Sequence, residues 1–318
     1  MHQIVLTALL PVVLLIAAGF VLARLGWIKP VLVKPLSTLA FMVLTPVLLF
    51  RTMSKVHIEQ LEVMPAIAYM AALALAFGGM FCWRGLSRSA AVLALAVTYS
   101  NAVMIGIPLV SLAWGEAGLV TLFTLIPIHS LVLLTIATMA LEIVMAHESN
   151  THVQARGAAG RALRVGTKAF GRAMLHPVPL PIIAGLLFAQ TGWVIPAWLD
   201  TPMRWLGQAF GPLALLLVGI TLAGSSIGAQ LRPALMLCAI KNLAVPLVAA
   251  ALGLLLGMHG LPLLVLVVTA ALPIGANVFL FSQRYGVAQE LITASVALST
   301  VLSLFSVSLV IVLLGTSV

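Results

Sequence analysis

Ten apolar runs, most of them near twenty residues long and separated by short polar or basic loops, fill almost all of this 318-residue chain. A helix needs about 20 apolar residues to cross a hydrocarbon layer about 30 Å thick. Inside that layer every backbone amide has to find its partner within the protein. Charged residues make up 7% of the chain and hydrophobic ones 63%, against about 25% charged in a soluble domain. The chain therefore reads as an all-α integral membrane protein.

The expected spans run from about Ile4 to Leu22, Pro35 to Met53, Pro65 to Trp83, Ser89 to Trp114, Ala117 to Ala146, Pro177 to Thr191, Met203 to Ser225, Pro233 to Leu256, Leu261 to Ser282, and Glu290 to the C-terminus. The first reads as a membrane helix and not a cleavable leader, because Met1-His2-Gln3 is not basic and no A-x-A site follows. A net charge of +9 would point to nucleic acid in a soluble protein, but here the basic residues sit in the loops. Twelve of the sixteen fall on one side of the expected membrane, three on the other, and Lys241 lies within a span. The positive-inside rule puts the twelve in the cytoplasm, so both termini face outward. The basic segment 147–175, with Arg156, Arg161, Arg164, Lys168 and Arg172, is then a cytoplasmic loop attracted to anionic lipid.

An internal repeat divides the chain at that loop. Pro11, Gly19, Gly26-Trp27, Pro30 and Pro46 recur as Pro177, Gly185, Gly192-Trp193, Pro196 and Pro212, all at an offset of 166 residues. Residues 1–146 and 176–318 thus form two halves of five spans each. Five is odd, so the second half enters from the opposite side and the repeats are inverted.

The fourth span of each half is interrupted. One reads Thr98-Tyr99-Ser100-Asn101-Ala102-Val103-Met104-Ile105-Gly106-Ile107-Pro108, the other Leu272-Pro273-Ile274-Gly275-Ala276-Asn277. Proline removes a backbone donor and crowds the carbonyl four residues earlier. Paired Gly/Pro interruptions in two halves point to a transporter's binding site. Gly106, Pro108, Pro273 and Gly275 are therefore candidate helix-break residues, with Pro273 the stronger break. Asn101 and Asn277 are candidate substrate ligands, since an amide offers donors to an anion beside freed helix N-termini. The bland alternative for each is an interhelical hydrogen bond.

Lys241 lies nine residues beyond Arg232, about 13 Å deep at 1.5 Å per residue. It reads as a counter-charge for an anion or as a fixed cation standing in for a coupling ion; the alternative is snorkelling toward the cytoplasm. Tyr99 and Ser100 are weaker candidates for lining the path, as are Thr98, Ser130, Asn242, Ser225 and Ser226. His129, in the middle of span five, is a candidate for proton coupling, against a packed neutral ring. All seven acidic residues lie in loops or near span ends, so a carboxylate relay or sodium cage has no owner. HExxH, GxGxxG and P-loop motifs are absent, which leaves no basis for an enzyme or a nucleotide site, and no cofactor or metal is expected.

Asn101-Ala-Val-Met-Ile-Gly106-Ile-Pro108-Leu109 resembles the N-x-x-x-x-G-x-P-L motif of the auxin efflux carrier family. Ala271-Leu272-Pro273 through Asn277, then Phe281 and Tyr285-Gly286, resembles that family's span-nine pattern, and the Lys241-to-Pro246 pairing looks familial as well. The resemblance covers nearly the whole chain and marks it as similar to a bacterial member, akin in fold to bile acid–sodium symporters. It implies that spans four and nine cross at the midplane and bind substrate there. The plant members carry proline just before the asparagine where this chain has Ser100, which leads one to expect a softer break.

The sequence thus predicts ten transmembrane helices in two inverted repeats. The expected function is secondary transport of a small organic anion, a mono- or dicarboxylate, by rocking of a crossing-helix bundle. An uncoupled facilitator or channel, and a transporter-like sensor that binds without translocating, are the alternatives. The expected partners are the substrate and the bilayer, with no nucleic acid; small residues Ala66, Ala72 and Gly79 on span three offer a face for a homodimer.

Overall fold

The computed structural model describes residues 2–57, 62–148, 178–224 and 230–314. Helices α1 (His2–Arg24), α2 (Val33–Met53) and α3 (Met64–Arg84) are followed by α4 (Arg88–Thr98) and the long α5 (Ile107–Glu148). The second part holds α6 (Pro179–Gln190), α7 (Ala197–Ala223), α8 (Leu231–Leu255), α9 (Gly260–Ala271), α10 (Ala276–Tyr285) and α11 (Gln289–Leu314). Among the described residues, six helices are long and apolar enough to cross a membrane: α2, α3, α5 with its preceding turn, α7, α8 and α11. Four shorter apolar helices accompany them, Leu10–Arg24, Arg88–Thr98, Pro179–Gln190 and Gly260–Ala271. No strand forms among the described residues. Segment 149–177, most of the basic loop, lies outside them, as do Ser225 and Ser226.

Among the described residues, three helices carry a π turn, at Ala40–Leu44, Ala102–Gly106 and Ile240–Ala244. Each ends two residues before a proline: Pro46, Pro108 and Pro246. The cause is common to all. A proline ring pushes away the carbonyl four residues back, here at Met42, Met104 and Asn242, and the chain absorbs the push by widening one turn. Pro108 therefore widens its helix without breaking it. The break in that span comes earlier, at Tyr99, where φ −85° and ψ 109° leave the helical region. The break forms with Tyr99 and Ser100, and no proline, at the end of α4. Farther along, Gly115 (φ 60°, ψ −145°) interrupts α5 between the two expected spans, in backbone that glycine adopts without a Cβ penalty.

The buried side chains form two cores. One gathers α1, α2, α6 and α7, around Val12, Leu49, Ile182, Phe210 and Leu217. The other gathers α3, α4, α8 and the later part of α5, around Tyr69, Leu93, Leu133 and Ala249. Residues of α5, α9 and α11 enter both. In the first core, helices meet through glycine. A Cβ on Gly19 would strike the Leu216 carbonyl oxygen, and one on Gly219 the Ile16 carbonyl oxygen, so α1 and α7 touch backbone to backbone. A Cβ on Gly185 would lie 2.7 Å from the Phe50 carbonyl oxygen, which brings α6 equally close to α2. Trp27, Trp193 and Trp198 stand exposed near helix ends, as interfacial anchors do.

Candidate functional site

Helices α4 and α9 both stop inside the protein, which leaves backbone donors and acceptors that lipid cannot satisfy. They satisfy each other. Asn101 N–H donates to the Pro273 carbonyl at 2.8 Å and Gly275 N–H to the Tyr99 carbonyl at 2.9 Å, so Ser100 and Ile274 form an antiparallel bridge. The approach needs glycine: a Cβ on Gly275 would lie 2.7 Å from Tyr99 Cδ1, and one on Gly106 would lie 2.7 Å from Leu272 Cδ1.

Further groups at these ends are met by side chains from neighbouring helices. Lys241 Nζ donates to the Ala270 carbonyl at 2.5 Å and to Ser100 Oγ at 2.9 Å. Asn242 Nδ2 donates to the Ala271 carbonyl at 3.0 Å, and Ser306 Oγ donates to the same oxygen at 3.2 Å. The π turn before Pro246 thus delivers two adjacent side chains to the C-terminus of α9, where a cation also meets the negative end of the helix dipole. On the other side of the bridge, Ile274 N–H donates to Ser299 Oγ at 3.1 Å, and Ser100 N–H to His129 Nε2 at 3.3 Å. Tyr69 Oη lies 3.0 Å from Ser100 Oγ.

Lys241 has no exposed surface, so it does not snorkel. His129 is buried too, its ring tilted 40° to that of Tyr99 with centroids 4.5 Å apart. Its Nε2 accepts, which places the proton of the neutral ring on Nδ1, 3.5 Å from Ser130 Oγ. Asn277 Nδ2 donates to Tyr99 Oη at 2.8 Å, and Tyr99 Oη donates to Ser130 Oγ at 3.1 Å. Asn101 is half-buried and Asn277 exposed, whereas Tyr99 and Ser100 are buried. Asn101 holds the N-cap position of the turn leading into α5, with its side chain making no cap bond, and Asn277 is the second residue of α10. Both amides therefore stand at the N-termini of half-helices, where backbone N–H groups and dipoles favour an anion.

The structure brings Tyr99, Ser100, Asn101, His129, Lys241, Pro273, Gly275 and Asn277 to one locus, with Gly106 one turn away. Pro108 stands apart, against Gly211 of α7. Tyr69, Ser299 and Ser306 are members that reading the sequence missed. A signal for the last two existed: Ser295, Ser299, Ser303 and Ser306 recur at helical spacing in an apolar span, and all four are buried. Among the described residues, the buried Asn242 Oδ1 meets no hydrogen-bond donor. Among the described residues no cluster of His, Cys, Asp or Glu has the makings of a metal site.

The family described as membrane transport protein matches residues 4–311. A protein of Rhizobium meliloti (strain 1021) named "Putative malonate transporter" is 29% identical, over 94% of this chain and 92% of that relative. Paired helix breaks in an all-helical apolar chain and a match over nearly its full length agree: the chain is a transporter and no enzyme, and it belongs to the membrane transport protein family, that of the auxin efflux carriers.

Proposed function

We propose that the chain is a secondary transporter of small organic anions, mono- or dicarboxylates of malonate's size, bound where the two interrupted helices meet. The pairing of Tyr99–Asn101 with Pro273–Gly275 carries the reading. It sets two amides and two half-helix N-termini around a locus where, among the described residues, Lys241 bonds to Ala270 and Ser100 and to no carboxylate. The name of the 29% identical relative supports a dicarboxylate.

In this reading ten spans form two inverted repeats, residues 1–146 and 176–318, joined by a cytoplasmic loop at 147–175, with both termini outside the inner membrane. The glycine contacts support the repeat. Gly19 meets Leu216 and Gly185 meets Phe50, and both partners shift by the same 166 residues that relate the prolines. Helices α1, α2, α6 and α7 act as the scaffold against which the crossing bundle rocks, in keeping with the two cores.

Purified protein is heated with a panel of small carboxylates, and uptake is followed in proteoliposomes. Malonate at about 100 times its dissociation constant adds about 2.7 kcal/mol to the folded state. Asn101→Ala and Asn277→Ala abolish that shift. Equal shifts in these variants, or none in wild type, refute the site. His129 is the proton-coupling candidate, because a proton on Nε2 would turn its acceptor into a donor and break the bond to Ser100. One observation favours an uncoupled facilitator instead: Lys241 already places a tethered cation among the helix ends, where a coupling ion would otherwise sit. Uptake that ignores proton and sodium gradients selects that reading.

A further inference from the structure

Away from the helix crossing, a cavity of about 560 Å³ opens between α1, α2, α7 and the first turns of α5. Pro108, which lies against Gly211, lines it, and so do the charged Arg51, Glu116 and Arg204 together with Gln208. The two carboxylates beside Arg51 are held differently. Asp200 takes a two-pronged grip, from Nε at 2.7 Å and Nη2 at 3.0 Å. Glu116 accepts only from Nη1, at 3.3 Å, and lies 3.5 Å from Lys55 Nζ, with its side chain 58% exposed. Glu116 also directly follows the Gly115 break, so it sits at a joint of α5. Asp200 therefore fixes the guanidinium, and Glu116 is a loosely tethered carboxylate on the remaining face.

We propose that this cavity is a second anion site, an antechamber in which an incoming carboxylate displaces Glu116 from Arg51 and Lys55 and is steered by Arg204. The exchange is one carboxylate for another on the same cations, and the displaced Glu116, with its side chain 58% exposed, passes to water. Pro108, on the chamber's wall, follows Asn101 by seven residues, roughly 10 Å at helical rise. A carboxylate lodged here waits directly outside the crossing. Removing Glu116 from Arg51 also frees the joint that tethers α5 to α2. The substrate class rests on the function proposed above; the chamber's preference for anions does not.

The test has two arms. In proteoliposomes, Glu116→Gln lowers the half-saturating malonate concentration and Arg204→Gln raises it, each about two- to fivefold, the range an exposed ion pair commands. The second arm needs no substrate. In a Cys82→Ser background, where Cys238 is buried, Gln208→Cys is labelled in detergent with an anionic sulfonatoethyl and a cationic trimethylammonioethyl methanethiosulfonate. The anionic-to-cationic rate ratio rises on Glu116→Gln and falls on Arg204→Gln, by similar factors. Unchanged ratios in both variants overturn the antechamber, and if Asn101→Ala still abolishes transport the crossing site stands. If wild type neither binds nor carries malonate, the crossing-site reading fails and the labelling ratio still decides the antechamber.

Discussion

Lys241→Met separates the structural role of the buried ammonium from its electrostatic one. Methionine fills nearly the same volume and donates nothing. The substitution strips a donor from the Ala270 carbonyl and from Ser100 Oγ. A buried carbonyl left without a partner costs about 1–3 kcal/mol. Against that, the variant no longer buries an amine, and exchanging buried charge for an apolar side chain often recovers much of the loss. Interhelical hydrogen bonds in membranes average only about 0.6 kcal/mol. The net loss is then about 1–2 kcal/mol. At about 2.1 cal/mol/K of unfolding entropy per residue, that lowers the melting temperature by roughly 2–3 °C for a chain of this length. The effect on binding is larger. A unit charge about 8 Å from a ligand carboxylate contributes about 2 kcal/mol at an effective dielectric constant near 20, or about thirtyfold in the dissociation constant. Ser100→Ala keeps the charge and should change that constant less than about threefold. Melting curves and malonate titrations on the three proteins check this. A dissociation constant for Lys241→Met within threefold of wild type refutes the counter-charge. A melting temperature more than 10 °C lower makes Lys241 a structural clamp.

Other substitutions test the surrounding architecture. Ser299→Ala orphans the Ile274 N–H and should cost about 1–3 kcal/mol in thermal unfolding, with malonate still bound. Gly275→Ala puts a methyl group against the Tyr99 ring and the Ser100 carbonyl; it should cost about 1–3 kcal/mol and loosen the bond from Asn277 to Tyr99, seen as a weakened malonate shift. Gly219→Ala drives a methyl group into the Ile16 carbonyl, which is backbone and has no rotamer to yield; folded protein should be lost at the purification stage, while Gly78→Ala, in open space, leaves yield unchanged. Pro246→Ala removes the cause of the π turn that presents Lys241 and Asn242, so it should reproduce the binding loss of Lys241→Met without touching its side chain.

Much of this was legible beforehand because bilayers impose simple rules. Apolar length gave the helices, and the Asn, Gly and Pro residues of two spans marked the locus where helices stop. What could not be read was how the stops are satisfied. The Ala270 and Ala271 carbonyls are invisible in a sequence, and nothing near them predicts that Lys241, Asn242 and Ser306 from two other helices would cap them. Prolines look alike on paper, yet Pro273 lies within a break, Pro108 and Pro246 widen a turn, and Pro127 sits inside a helix. The difference depends on which carbonyl each ring meets and which neighbour can accept the displaced group. The ion cluster at Arg51 joins residues that are far apart in the chain and drew no notice as loop charges.

The bridge between Ser100 and Ile274 also bears on how the protein is made. The Asn101 N–H and Tyr99 carbonyl find their partners only in Pro273 and Gly275. At about 5–20 residues per second, a ribosome takes roughly 10–30 s to supply that second strand after the first has emerged. Throughout that interval the nascent first half holds unsatisfied peptide groups at a depth where hydrocarbon offers none. Helix α4 cannot settle into lipid alone, and must be sheltered by the insertion machinery or linger at the interface until α9 and α10 arrive. A chain truncated before residue 270 should be cleared by membrane proteases even though each of its long helices is apolar enough to insert.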